Sequence, residues 1–179
     1  MSIAIEPGSA EAALVQYVRT NAELAEWSSG TVGWAFRSAY HFLLERGRLF
    51  TPRDLPRGIE RGDEGFCYTN ASATALRHPG LLYVEGFAVI GVGNGLPIAH
   101  SWCVDPDGTV IDPTWPDGTG LAYFGVPFAD RDLWPHPVLG GGLLQEPRYL
   151  LPLLREGLVS GAVADLGRLP AAASHSSPQ

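Results

Sequence analysis

The stretch Ile98-Ala99-His100-Ser101-Trp102-Cys103-Val104-Asp105-Pro106-Asp107-Gly108-Thr109-Val110-Ile111-Asp112-Pro113-Thr114-Trp115 reads as two β-strands joined at Asp105-Pro106-Asp107-Gly108. Pro106 cannot take the positive φ that both central residues of a type I′ turn need, so a two-residue hairpin is disfavoured. Aspartate first, proline second and glycine fourth is the type I signature. With Gly108 left-handed, the connection becomes a three-residue loop with a bulge. Asp105 then faces Thr109, Trp102 faces Asp112 and His100 faces Thr114. His100 and Asp112 become diagonal neighbours on one face, with backbones about 7–8 Å apart, within reach of an imidazole and a carboxylate. A two-residue loop would move Asp112 to the opposite face.

Upstream of this hairpin, residues 66–77 (FCYTNASATALR) predict a helix, opened by Asp63, Glu64 and Gly65 and closed by His78, Pro79 and Gly80. Its small middle residues, Ala71 to Ala75, let it lie close to a neighbouring surface, which makes it central. Further back, apolar spacing predicts helices over 9–27, ending at Ser28, Ser29 and Gly30, and over 33–45. Residues 51–65, rich in Pro, Gly, Arg and Asp, predict a long loop of the kind that borders functional clefts. Strand candidates are 81–92, 96–104 and 109–114. Beyond Trp115 the chain reads as loop through Gly142, anchored by Tyr123, Phe124, Phe128 and Trp134. A last helix over 147–159 carries Pro152, which predicts a kink or early break. Helices followed by an antiparallel sheet make an α+β fold, with a single domain over 1–168 and a disordered tail over 169–179.

Composition narrows the function classes. The 179 residues are 45% apolar and 17% charged, which fits a folded domain rather than a disordered chain. The net charge of −7 and the scattered arginines argue against nucleic-acid binding. All 12 basic residues are arginine, so Schiff-base and phosphate-loop lysine chemistry is excluded. That also demotes Gly91-Val92-Gly93-Asn94-Gly95 to a strand connection. No apolar run is long enough to span a membrane, and the N-terminus lacks a basic start and apolar core, which predicts a cytoplasmic protein. Two cysteines, Cys67 and Cys103, are too few for a disulfide scaffold.

Cys67 stands in the first turn of its helix, where unpaired N–H groups and the helix dipole favour a thiolate, opposed by Asp63 and Glu64. A histidine base needs a carboxylate to fix its tautomer and steady its cation. Cys67, His100 and Asp112 thus follow the order nucleophile, base, orienter. The plain alternatives are a buried structural thiol at Cys67, a hydrogen-bonded core histidine at His100, and an Asx-type turn at Asp112 before Pro113. Asn70 lies one turn after Cys67 and either polarises the site or is a helix-face amide. Glu85 is either a substrate-facing acid or a partly exposed strand charge. Trp102 and Trp115 either roof the imidazole and wall the cleft or pack in the core. Cys103 alternates away from His100 and is structural, which also dismantles a zinc site of Cys67, His100, Cys103 and Asp112. Neither metal nor organic cofactor is expected.

Cys67 opening a helix, His100-Ser101-Trp102 on one strand and Ile111-Asp112-Pro113-Thr114-Trp115 on the next resemble the transglutaminase-like branch of the papain-like cysteine fold. The resemblance spans about Gly65 to Trp115, with Tyr123-Phe124-Gly125-Val126. It extends to small bacterial and phage proteins with Cys67-Tyr68-Thr69-Asn70-Ala71, Tyr83-Val84-Glu85-Gly86 and Asp112-Pro113-Thr114-Trp115 type motifs. It implies N-terminal helices and a Cys-bearing helix packed on an antiparallel sheet. It also implies that Cys67 attacks an amide or thioester carbonyl, His100 shuttles the proton and Asp112 orients it. Tyr68, Asn70, Glu85, Trp102 and Trp115 would support the site. The expected partner is a peptide, protein or small acyl substrate. Gly65-Phe66-Cys67 is also similar to the start of the arylamine N-acetyltransferase triad, but the chain is short for that family. A non-catalytic binding or accessory module on the same fold is the other alternative. The glutamine that papain uses for its oxyanion hole has no close counterpart, since Gln16 lies far upstream and Gln145 downstream. The Cys67 N–H supplies one donor. The oligomeric state is not legible.

Overall fold

The computed structural model describes residues 6, 8–26, 30–91, 95–136, 138 and 140–170. The expected helix end at Trp27, Ser28 and Ser29, the strand end at Val92, the middle of the Gly91–Gly95 connection and the tail from 171 onward lie outside the described residues. The architecture is α+β: among the described residues, four α-helices accompany one antiparallel five-stranded sheet. No described helix is long and apolar enough to cross a membrane.

Helix α1 (Ala10–Glu26) opens at Ser9, whose hydroxyl accepts the Ala12 N–H at 3.1 Å, and buries Leu14, Val15, Val18 and Ala22 on one face. Helix α2 (Ala39–Arg46) starts later than its aromatic spacing predicts. Gly33 is left-handed at φ 87°, and Ser38 takes the N-cap, accepting the His41 N–H at 3.3 Å. A strong cap overrides apolar periodicity here, and Trp34 and Phe36 reach the core from turns.

The strands are β1 (Arg48–Phe50), β2 (Leu82–Ile90), β3 (Pro97–Val104), β4 (Val110–Ile111) and β5 (Gly120–Phe128), in the order β1-β5-β2-β3-β4. The expected register of the β3–β4 hairpin is observed: Cys103 faces Ile111, Val104 faces Val110, and the Asp105 N–H donates to the Thr109 carbonyl at 3.1 Å. Gly108 is left-handed at φ 76°, and the Asp105 carboxylate accepts the N–H groups of Asp107 and Thr109. The sequence reading of a loop from Trp115 to Gly142 is corrected by β5, and the short β1 lies inside no expected element. Strand β5 sits between β1 and β2 and is buried on both faces, so it shows no polar alternation. Its Pro127 lies past the end of β1, where a missing N–H interrupts no ladder bond.

Tyr83, Phe87, Cys103, Phe124 and Val126 point to one sheet face, covered by α1, α2 and α3 (Cys67–Arg77). Phe50, Val84, Trp102, Val110 and Tyr123 point to the other, under Trp115 and Leu166. Gly86 and Gly125 face each other across β2 and β5, and a side chain on Gly125 would collide with the Trp102 ring. Helix α4 (Pro147–Glu156) runs on through Pro152 and ends at Gly157. Pro152 and Arg148 are both exposed there, so water can take the carbonyl that proline leaves unbonded.

Candidate active site

Helix α3 begins at Cys67, and its N-cap residue Phe66 offers no side-chain hydrogen bond. The first-turn N–H groups are therefore uncapped beside the thiol, a setting that favours negative charge. Alternation along β3 sends His100 and Trp102 to the face of Tyr123 and Cys103 to the α3 face, where its thiol donates to the Ala71 carbonyl at 3.1 Å. Burial pushes the Cys103 thiol well above its usual range. Among the described residues no three metal-binding side chains cluster.

His100 Nε2 lies 2.8 Å from Asp112 Oδ2. Burial raises the Asp112 carboxyl, but the His100 hydrogen bond and charge, with the N–H groups of Thr114 and Trp115, outweigh it and hold it below the usual carboxylate range. An ionised carboxylate only accepts, so Nε2 carries the proton and Nδ1 remains for other work. Asp112 Oδ1 accepts the Thr114 N–H at 2.9 Å and the Trp115 N–H at 3.2 Å. The Asx-type turn and the histidine contact are thus not alternatives: one oxygen makes each. Tyr123 Oη, a group sequence reasoning missed, also donates to Oδ2 at 3.0 Å. The short apolar, aromatic run Leu121-Ala122-Tyr123-Phe124 after the Pro116-Asp117-Gly118 turn was the available signal for it.

Cys67 is 9% exposed, His100 1% and Asp112 6%. Burial raises the thiol, yet the His100 hydrogen bond and charge, followed by the backbone N–H of Ser101, bring it below its ordinary value. Burial lowers the imidazole, while Asp112 and then Cys67 raise it, with a net rise. Both shifts move the pair toward thiolate and imidazolium, the form in which a thiol can attack an electrophilic carbon and an imidazole return a proton.

The Ser101 N–H is free for the thiol because the ladder stops. The β3–β4 pairing ends at Cys103 and Ile111, and the carbonyl of Pro113, two residues further on, accepts the Gly62 N–H at 2.7 Å instead of the Ser101 N–H. Trp115 stacks on the imidazole, with centroids 3.6 Å apart and planes 3° from parallel, while Trp102 lies farther off at 6.1 Å. Trp115 therefore roofs the ring, and Trp102 packs in the core beneath.

Asn70 does not point its amide to the thiol: Nδ2 donates to the Asp63 carbonyl at 2.8 Å and to Thr114 Oγ1 at 3.1 Å. It ties α3 to the preceding loop and to the Asp112 segment. The same loop is fastened by Arg61, which donates to the Trp115 carbonyl and to Asp117 Oδ1, and by the Leu55 N–H on that Asp117 oxygen at 2.9 Å. Residues 51–65 are thus a strap along 112–117 and not an open flap.

Glu85 needs a correction. It is 0% exposed, neither substrate-facing nor a strand charge in water. Tyr83 Oη and the Leu143 N–H each donate to Oε2 at 2.8 Å, and the Leu144 N–H donates to Oε1 at 2.7 Å. These partners hold residues 142–144 against Tyr68, and a side chain on Gly142 would collide with both Glu85 and the Tyr68 ring. Burial, then the charges of Glu85 and Cys67, push the Tyr68 hydroxyl far above its usual value. Tyr68 therefore sits between the thiol and the buried acid.

No model of a known protein family, no curated protein and no solved structure matches the chain.

Proposed function

We propose that this protein is a thiol-dependent acyl-transfer catalyst on a papain-like, transglutaminase-like core. Within that class we read it as an amide hydrolase or acyltransferase for a peptide, a side-chain amide or a related acyl substrate, with no metal or organic cofactor taking part. The observation that carries this reading is the His100 Nε2 to Asp112 Oδ2 contact of 2.8 Å, coupled through the imidazole to a thiol whose pKa is lowered. The Cys67 thiolate attacks the carbonyl carbon and the carbonyl electrons move onto oxygen, opposite the uncapped N–H groups of α3. Imidazolium His100 gives its proton to the leaving amine as the C–N bond breaks, and a thioester on Cys67 remains. Water or an amine then attacks that thioester, with His100 taking its proton and Cys67 leaving as thiolate.

Iodoacetamide tests the nucleophile. Cys67 is expected to be alkylated at least about tenfold faster than Cys103 at neutral pH, and His100→Ala to abolish the difference. Incubation with activated acyl esters should add the acyl mass to Cys67, and an added amine that speeds its loss would mark transfer over hydrolysis. The low exposure of Cys67 favours a second reading, a binding or accessory module that retains the fold. Equal, slow labelling of both thiols would decide for it.

A further inference from the structure

Asp112 Oδ2 is shared. It receives the His100 Nε2–H at 2.8 Å and the Tyr123 hydroxyl at 3.0 Å, while Oδ1 is pinned by two backbone N–H groups. We propose that Tyr123 is a positioning residue for the Cys67–His100–Asp112 relay. Its hydroxyl takes part of the Asp112 charge and so sets how strongly the imidazole holds its proton.

Two features of the chain serve this contact. Tyr123 is 3% exposed on the sheet face that carries His100, so its hydroxyl is not placed there by solvent. Gly120 lies against it, and a side chain at 120 would occupy the position of Tyr123 Oη. A bulge in the β2–β5 pairing separates Gly120 from Tyr123 and lets the strand start fold back over the ring. A phenol donating to an ionised carboxylate makes a charge-assisted hydrogen bond, and each such bond withdraws charge from the others on the same oxygen. Because Thr114 and Trp115 hold the carboxylate from Oδ1, loss of the phenol leaves Asp112 in place and strengthens its hold on the imidazolium. The charged and titratable groups around the pair are His100 from β3, Cys103 behind it and Arg61 from the strap. Arg53, Asp54 and Asp117 join Asp112 and Tyr123 around a cavity of about 120 Å³. Phenylalanine at 123 changes none of these.

The proposal rests on the acyl-transfer reading for its purpose, but its test reads the imidazole directly. In histidine-labelled protein followed by NMR, Tyr123→Phe should raise the His100 titration midpoint by about one unit. Gly120→Ala, which displaces the hydroxyl, should shift it the same way. Fluorinated tyrosine incorporated at 123 keeps the shape and strengthens the donor, so the midpoint should fall, and this holds even if either substitution unfolds the chain. An unchanged His100 midpoint in the fluorotyrosine protein, or in folded Tyr123→Phe, overturns the proposal. If instead His100 shifts as expected while unaltered Cys67 reacts no faster than Cys103, the acyl-transfer reading fails and the tuning of His100 by Tyr123 stands.

Discussion

Asp112 and Glu85 are two buried carboxylates reached from opposite faces of one sheet, and their neutral donors are almost the same. Each accepts two backbone N–H groups and one tyrosine hydroxyl. Yet Asp112 is held below the ordinary carboxylate range, while burial lifts Glu85 to about 7 against the pull of Leu144, Tyr83 and Leu143. The difference is His100. Neutral donors do not offset the loss of water around a carboxylate here; an adjacent cation does. One acid is thereby suited to steadying an imidazolium, and the other to clamping a chain segment.

Removing the cation should break the contrast most strongly. His100→Ala leaves Asp112 with neutral donors only, so its carboxyl should rise above the usual range as Glu85 does. Any acyl-transfer rate on Cys67 should fall by about a thousandfold or more. Carboxyl NMR and single-turnover kinetics check the two halves separately.

The clamp has its own signature in stability. Glu85 titrates near 7 when folded and near about 4.3 when unfolded. Between those values the folded chain keeps a proton that the unfolded chain has lost. The contribution of Glu85 is therefore complete below pH of about 4.3 and lost as pH rises through about 7, a change of about 4 kcal/mol. Asp112 has the opposite sign: its contribution is present at neutral pH and lost as pH falls through its lowered value. The raised His100 gives stability that is lost only as pH climbs past about 6.5, so the window from about 4.5 to 6.5 isolates Glu85. Urea denaturation across that window should slope downward in the unaltered protein and flatten in Glu85→Gln. That variant should also lose about 1–3 kcal/mol at pH 5, because one backbone N–H is left without an acceptor.

Asn70→Ala sharpens the comparison at its smallest scale. It frees the strap from Thr114 without touching either acid, so about 1 kcal/mol of stability and a severalfold change in Cys67 alkylation are expected. Neither carboxyl titration should move.

What the sequence made legible was what short-range chemistry specifies. Pro106 and Gly108 chose the turn, the turn chose the register, and the register put His100 beside Asp112. The α3 start followed from Gly65 and the apolar pattern after it. Glu85 was misread because its partners Leu143 and Leu144 come from a distant loop, and strand alternation cannot say what covers a face. Strand β5 was missed because burial on both faces erases alternation and Gly125 and Pro127 imitate a loop. Tyr123 was read only as an anchor, and its place beside Asp112 was missed with the strand. The start of α2 was misplaced because Trp34 and Phe36 mimic a helical stripe that Ser38 cuts short.

The donor that Ser101 offers the thiol is main chain, and the end of the β3–β4 pairing, with the Pro113 carbonyl turned to Gly62, is what leaves it unspent. Residue-by-residue alanine scanning would record position 101 as nearly silent, because the group that matters survives every substitution but proline. Position 113 would look like a mere turn former. Their importance would emerge only from an ester in place of the 100–101 peptide bond, or from a residue at 113 that lets the two strands zip one pair further and draws that amide away from sulfur. Drift at 101 should be tolerated where drift at 113 is not, the reverse of what proximity to the thiol suggests.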